Sequence, residues 1–569
     1  MMGQALKPRL GWLTDLTTGA LVKDTVAGLI LSILLVPQAM AYAQLAGLPP
    51  QTGLFAALLP PLVYALFGTS NFVSMGPVAL VSLVVAEAAG NAPVPPETAA
   101  AVIAVEAGVA LALLGALGLG RLVNFISEPV LLGFTAAAAF LIAASQLPTL
   151  IGVEAPRAGD LPTALQGLWS GIGGFSWATT VVGLASLGAL LLINRYAAAI
   201  LWKLGLHPPF RQAVAKSLPF VVIVLAALAV SQIAAPVATV AAVERGLPSP
   251  PWPLGGPSLW LALLPSALAV AVIVFVTATA VAKSLAGKDR SALDTSREAV
   301  ALGLGNIAAV ATGGYAVGAS LSRSALVEDS GARSPLASIV ASLVVLAVLL
   351  FLAPYLSLLP KTALAALVIS AVFGLIKIRA IREIVAHDRI EGAIVGIAFL
   401  ATLIFGVRLG LAIGAGAGLA HFLWFSSLPR VTRVGSDDGG ASFRSVDRDA
   451  VTIDTLPVLI VRIDRSIYFG NAAFCEDEIF ACLARHDGVT CLVIDMRAVN
   501  GVDASGAAML RRLTERLHEM DIAVHFAEAH EPVTRALTSL DANICCFHRT
   551  IQLAMEQCGA PVDERIAPT

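Results

Sequence analysis

Arg323 stands in a run of small residues, Ser320-Leu321-Ser322-Arg323-Ser324, inside the stretch Gly313–Ala337 (GGYAVGASLSRSALVEDSGARSPLA). Long apolar runs flank that stretch on both sides. An unbroken helix needs about 20 mainly apolar residues to span a bilayer, and this stretch cannot supply them. It is therefore expected to be a broken helix, with irregular backbone that lines a cavity or is buried in protein. A half-helix starting near Ser320–Ser324 points its free N–H groups and the positive end of its dipole inward. Arg323 adds a full positive charge at the same place, and the combination suits an anion. The same residues also allow Arg323 to snorkel to a surface or to pair with Glu328 or Asp329.

A second stretch answers the first. The run Pro77–Ala89 is too short to span and opens with Ser74, Gly76 and Pro77; Pro near the first helical position is a start signal. Each half of the apolar region thus holds one short hydrophobic segment opened by Gly, Ser or Pro. Such a pair, in corresponding positions of two halves, points to a transporter binding site near the bilayer midplane.

Four phrases carry a family resemblance: VPQAMAYAQLAGLPP (Val36–Pro50), GTSNFVSMGPVA (Gly68–Ala79), NFISEPVLLGFT (Asn124–Thr135) and LSRSALVEDSGARSPLA (Leu321–Ala337). Together they resemble the sulfate permease (SulP) family of anion transporters, in the family's order and over nearly the whole chain. The resemblance implies a 7+7 inverted repeat in which segments 1–4 and 8–11 form a core domain and segments 5–7 and 12–14 a gate domain. It also implies a homodimer. It assigns substrate binding to Gln38 and Tyr42 on segment 1, Val78 and Ala79 at the start of segment 3, and Ser322 and Arg323 at the start of segment 10. One departure stands out. Where many prokaryotic members carry a cation-coupling acid on segment 8, this chain has Thr277. Thr277 and Thr279 could still offer hydroxyls, and Arg323 could serve as the fixed charge, which fits uniport or anion exchange better than sodium symport. Glu106, inside segment 4, is a possible proton-coupling group or a carboxyl near the outer end.

The elements that must position these residues follow from composition. Hydrophobic residues make up 57% of the chain and charged ones only 13%, against roughly 45–50% and 25% for soluble domains. That implies a polytopic α-helical membrane protein. Apolar segments near residues 25–46, 52–68, 77–89, 98–120, 128–147, 174–193 and 213–234 make one set of seven. Segments near 259–283, 297–312, 320–330, 335–353, 361–377, 391–406 and 409–427 make the other. A repeat with an odd number of segments starts on the opposite side each time and is inverted. With both termini in the cytoplasm, nineteen Lys and Arg of residues 1–433 fall inside, among them Arg195, Lys203, Arg211, Lys216, Lys288, Arg290, Lys377, Arg379, Arg382 and Arg389. Arg157, Arg245, Lys361 and Arg408 fall outside, and that bias sets the orientation. Residues 1–22, with Pro8, Trp12 and Leu13, read as an interfacial lead-in. Lys7, Arg9, Asp15, Lys23 and Asp24 precede the first apolar run and break any cleavable signal pattern. The transport domain is expected over residues 23–430, with repeats near 23–235 and 258–430.

Beyond it, residues 431–455 read as a linker, and residues 456–560 alternate strands and helices, an α/β pattern. SIYFGNA (Ser466–Ala472) and VIDMRAVNGVDASG (Val493–Gly506) resemble the STAS domain, the antisigma-antagonist-like module of sulfate transporters, expected in the cytoplasm. In soluble relatives the residue matching Ser505 is a phosphorylation site; helix capping by Asp503 or Ser505 is the simpler role. All six Cys (Cys475, Cys482, Cys491, Cys545, Cys546, Cys558) follow residue 470 without CxxC spacing. They are expected as free thiols rather than a metal or redox motif. No nucleophile–base pair or ligand set argues for an enzyme, a cofactor, a metal or a nucleic-acid partner. The expected function is secondary-active anion transport in the cytoplasmic membrane by proton-coupled symport or anion exchange. Sulfate leads, with bicarbonate, chloride, nitrate, C4-dicarboxylates and an anion channel as alternatives.

Overall fold

Backbone polar groups inside a bilayer must be satisfied within the segment, so the apolar runs become helices. The computed structural model describes residues 8–14, 16–155, 159–205, 210–233, 236–241, 249–286, 293–436, 443–446, 457–538 and 546–559. Lys7, Asp15, Arg157, Arg245, Lys288, Arg290 and Cys545 lie outside these residues. Two compact units result, residues 1–418 and 419–569.

In the first half of the membrane unit, α1 (Thr18–Leu45) is followed by α2 (Pro50–Phe55) and α3 (Leu59–Phe67). Next come a two-residue strand β1 (Met75–Gly76), the short helix α4 (Ala79–Gly90), and α5 (Pro96–Ala116), α6 (Glu128–Ile151), α7 (Trp177–Lys203) and α8 (Phe210–Ile233). The second half repeats the plan with α9 (Pro257–Leu285), α10 (Thr295–Ala311), β2 (Gly318–Ala319), the short helix α11 (Leu321–Asp329), α12 (Leu336–Ala347), α13 (Lys361–Val372) and α14 (Arg389–Ser427). Within α14, Gly406 has φ 82 and ψ 175, which breaks the helix into two spans. Only glycine adopts that backbone without strain. Ten helices among the described residues are long and apolar enough to cross a membrane. Among the described residues the elements fall in the expected fourteen segments, as two halves of seven.

The halves interleave. α5 packs against α10 and α9, α10 against α3, and α12 against α1, so segments from both halves build one core body. α13 packs against α6 and α7, and α7 against α8, forming the gate body. Lipid offers no hydrophobic drive between helices, so close approach has to come from small residues. At the α5–α10 crossing a Cβ on Gly303 would lie 2.5 Å from the Gly108 carbonyl oxygen, and one on Gly108 2.7 Å from that of Gly303. The N-terminal lead-in docks on α3, where the Trp12 indole donates to the Ala65 carbonyl at 3.1 Å.

The terminal unit holds a six-stranded sheet in the order β4-β3-β5-β6-β7-β8. These are β3 (Val431–Gly435), β4 (Arg444–Ser445), β5 (Val458–Ile463), β6 (Cys491–Asp495), β7 (Ala523–Ala527) and β8 (Cys546–His548). β5 to β8 run parallel, and β3 is antiparallel to both β4 and β5. Residues 431–435 and 444–445, expected as linker, are therefore strands, because Val431–Arg433 finds an edge to pair with on β5. The remaining linker residues 437–442 and 447–455 lie outside the described residues. Helices α15 (Ala472–Ala484) and α16 (Ala504–Glu519) cover one face through Ile479, Leu510 and Leu513. Helix α17 (Glu531–Thr538) follows β7, and α18 (Ile551–Cys558) covers the other face through Ile551, Ala554 and Cys558. Asp503 caps α16 by accepting from the Gly506 N–H at 2.8 Å, and Ser505 is exposed. The expectation of free thiols needs correction: β6 and α18 bring Cys491 and Cys558 together in a disulfide. Burial pushes the Cys475 thiol up to about 12, which keeps it protonated and inert.

Gly303→Val should force α5 and α10 apart and destabilise the protein by about 1–3 kcal/mol. Thermal melting of detergent-purified protein checks this; an unchanged melt would show that the crossing tolerates the wider spacing.

Candidate anion-binding site

Two short strands organise the centre of the membrane unit. Pro77 pushes the residue before it into extended backbone, and Gly76 takes part in β1. β1 and β2 pair antiparallel, with Met75 opposite Ala319 and Gly76 opposite Gly318. Each strand runs within a few residues into a half-helix, α4 or α11. Antiparallel pairing sends those helices away in opposite directions, so their N-termini meet at the ladder. Val78 is the N-cap of α4, extended at φ −139, and makes no capping bond with its side chain. Ser320 caps α11, its hydroxyl accepting from the Arg323 N–H at 3.5 Å. The Ser74 N–H donates to Ser324 Oγ at 2.9 Å, tying the two starts together.

Arg323 lies between them with 0% exposure. Its Nη1 donates to the Pro77 carbonyl at 2.8 Å. Its Nε and Nη2 are buried and have no hydrogen-bond partner. Among the described residues no carboxylate forms an ion pair with it, so the pairing with Glu328 or Asp329 that the sequence allows is not formed. A Cβ on Gly76 would lie 3.3 Å from Arg323 Nη2 and 3.7 Å from Leu35 Cδ1. That fit leaves little room for a side chain at position 76, and the contact with Leu35 brings α1 to the site. Gln38 and Tyr42 follow Leu35 by three and seven residues, on the same helix face. Both are buried, and Gln38 Oε1 has no partner. Tyr42 and Tyr315 lie within electrostatic reach of the guanidinium.

The structure thus brings Tyr42, Val78, Ala79 and Arg323 together, with Gln38 buried on the Leu35–Tyr42 face of α1. Ser322 is exposed on the first turn of α11, with its hydroxyl 3.3 Å from that of Ser320. Among the described residues no hydrogen bond joins Thr277, Thr279 or Glu106 to Arg323. Thr277 donates to the Ile273 carbonyl of its own helix at 2.6 Å. Thr279 Oγ1 and Glu106 Oε2 are buried without partners.

Several supporting residues were not singled out from the sequence. Tyr315, fully buried, hydrogen-bonds Ser82 on α4 at 2.8 Å. Asn306 on α10 accepts from the Val317 N–H at 2.9 Å and donates to its carbonyl at 3.1 Å, bracing the approach to β2. Glu298 accepts from Tyr64 Oη at 2.5 Å and Thr69 Oγ1 at 2.6 Å. Asp24 accepts from the Arg333 N–H at 2.6 Å and Ser334 Oγ at 2.6 Å, which fastens α1 to the start of α12. All are polar groups within the membrane unit. That property alone marks a residue for inspection, but the partners of Tyr315, Glu298 and Asp24 are hundreds of positions away in the sequence.

The sulfate permease family matches residues 21–398, and the STAS domain matches residues 448–554. This chain belongs to the sulfate permease family. It is 31% identical to sulfate transporter 4.1 of the Arabidopsis thaliana chloroplast over 90% of this chain and 75% of that one. It is 30% identical to Arabidopsis thaliana sulfate transporter 1.3 over 94% and 84%. Among solved structures, murine Slc26a9 in the inward-facing state superposes with a TM-score of 0.89 at 21% identity, over 97% of this chain and 94% of that chain. The membrane domain of the cyanobacterial bicarbonate transporter BicA gives 0.59 at 19% identity, over 71% and 98%. The family is one of transporters, not enzymes, and the chain is a multi-pass membrane anion transporter with a terminal STAS domain.

Asp24→Ala should leave the Arg333 and Ser334 N–H groups and the Ser334 hydroxyl without an acceptor, at about 1–3 kcal/mol for each buried donor. Ser334→Ala, which removes one donor cleanly, should cost less. Melting curves for the two variants check the order, and an equal loss would contradict it.

Proposed function

We propose that the chain carries a small inorganic anion, sulfate first, across the cytoplasmic membrane by alternating access, as a homodimer with both termini in the cytoplasm. The observation that carries this reading is the buried Arg323 guanidinium, whose Nε and Nη2 lack protein partners between two half-helix N-termini. An isolated buried charge costs several kcal/mol, and a bound anion offsets that cost. At 4 Å and an effective dielectric constant of 20, opposite unit charges attract by about 4 kcal/mol.

In this reading Arg323 supplies the attracting charge and the backbone N–H groups after Val78 donate to the oxyanion. Ser322 adds a hydroxyl, and Gln38 and Tyr42 close the site from α1. Sulfate is favoured because the curated relatives are named sulfate transporters. Bicarbonate is the second reading, favoured by the fold shared with BicA. Because Thr277 occupies the position of the family's acid, the fixed charge of Arg323 supports anion exchange. Proton symport is the alternative, with Glu106 as the coupling group and Thr277 or Thr279 offering hydroxyls.

Radiolabelled sulfate and bicarbonate uptake into proteoliposomes tests the assignment. Arg323→Ala should lower uptake at least about tenfold, equivalent to 1.4 kcal/mol, while eluting as folded protein. Wild-type uptake by that variant would remove Arg323 from the site. Uptake stimulated only by a trans anion supports exchange. Uptake driven by an inward proton gradient and abolished in Glu106→Gln supports symport. Flux that neither saturates nor responds to a trans anion would replace the carrier with a channel.

A further inference from the structure

Three metal-ligating side chains converge on one face of the terminal sheet. Cys491 opens β6, His525 stands midway along β7, and Cys558 ends α18. All three are buried, and one ligand atom of each lies within 4.8 Å of the others. Register explains the meeting: Cys491 pairs with Ala523 and Val493 with His525, so Cys491 and His525 are diagonal neighbours on one face. α18 lies on that face, and Cys558 follows Ile551 by seven residues, two helical turns along the same stripe.

We propose that, once the Cys491–Cys558 disulfide is reduced, Cys491, Cys558 and His525 form a site for one zinc-like divalent ion. Two thiolates and an imidazole are a zinc donor set, with water completing four-coordination. Zinc–sulfur bonds of about 2.3 Å at a tetrahedral angle hold two sulfurs about 3.8 Å apart, so once reduction breaks the bond between them the sulfurs must separate to that distance. His525 also has the support that ligating histidines require: its Nδ1 lies 2.9 Å from Nε2 of His548, itself largely buried. Donation of the Nδ1 proton to His548 selects the tautomer that binds a metal through Nε2 and orients the ring.

The chemistry balances with a thiol reductant. Two RSH molecules give up two electrons and two protons, become RSSR, and convert the disulfide to two protein thiols. Binding of the divalent ion then displaces both thiol protons. α18 would be held to the sheet in either state, by a covalent bond when oxidised and by coordination when reduced. A pair of buried thiols serving only to fill space would need neither an imidazole between strands nor a second imidazole behind it.

The test uses the full-length protein in detergent. A phosphine reduces the disulfide, taking up the oxygen of one water to become the phosphine oxide, and is then removed anaerobically. Cobalt(II) chloride is titrated as the optical stand-in for zinc. The expected result is a thiolate-to-cobalt charge-transfer band that saturates at one ion per chain, is bleached by zinc chloride, and is absent from unreduced protein. Cys558→Ser and His525→Gln should each weaken binding at least tenfold. His548→Gln should weaken it about tenfold through the ring it orients, and Cys475→Ser should leave it unchanged. Absence of the band in reduced wild-type protein overturns the proposal whatever the variants do. Persistence of the band in folded Cys558→Ser protein overturns it as well.

Discussion

A single unneutralised guanidinium governs the membrane unit. Arg323 is fully buried, gives one hydrogen bond to a carbonyl, and has no acidic partner among the described residues. Such a charge persists only where the surrounding structure is rigid enough to prevent it from reaching water. The supports are all at hand: the β1–β2 ladder, the Ser74–Ser324 tie, the Asn306 clamp and the Tyr315–Ser82 bond. Each removes a way for the half-helices to slide apart, and together they hold a positive potential at a fixed depth.

The interleaving of the two halves follows from the same requirement. The N-terminus of a half-helix is useful only if a second one faces it, and antiparallel pairing of two strands from inverted halves delivers that with two residues on each side. The crossing is narrow: a Cβ on Gly76 would lie 3.3 Å from Arg323 and one on Gly318 3.1 Å from Val78. Farther out, α5 and α10 meet at Gly108 and Gly303 by the same principle of close backbone approach.

Much of this was legible in the chain. The broken segments announced themselves by length and by Ser, Gly and Pro, because a bilayer imposes a length rule that few other environments do. Fourteen segments, the half-helices and Arg323 all follow from it. What stayed hidden was partnership. That Asp24 binds Ser334, or that Glu298 receives Tyr64 and Thr69, depends on which helices touch, and one sequence without its relatives carries no such signal. The terminal unit misled in a different way. Residues 431–435 look like the start of a linker because one short strand earns its place only by pairing with β5. Cys491 and Cys558 are 67 residues apart in sequence, and only the packing of α18 on β6 makes them neighbours.

The buried polar ties also impose an order of events at synthesis. Asp24, Tyr64, Thr69 and Ser74 belong to the first half, and their partners Ser334, Glu298 and Ser324 lie 229 to 310 residues later. At about 5–20 residues per second, the ribosome needs on the order of ten seconds to a minute to supply those partners. Throughout that interval the first seven segments sit in the bilayer with polar groups that no lipid can satisfy. The first half is therefore a waiting structure: its helices are inserted long before its core can close, and the half-made carrier depends on being shielded until its second half arrives.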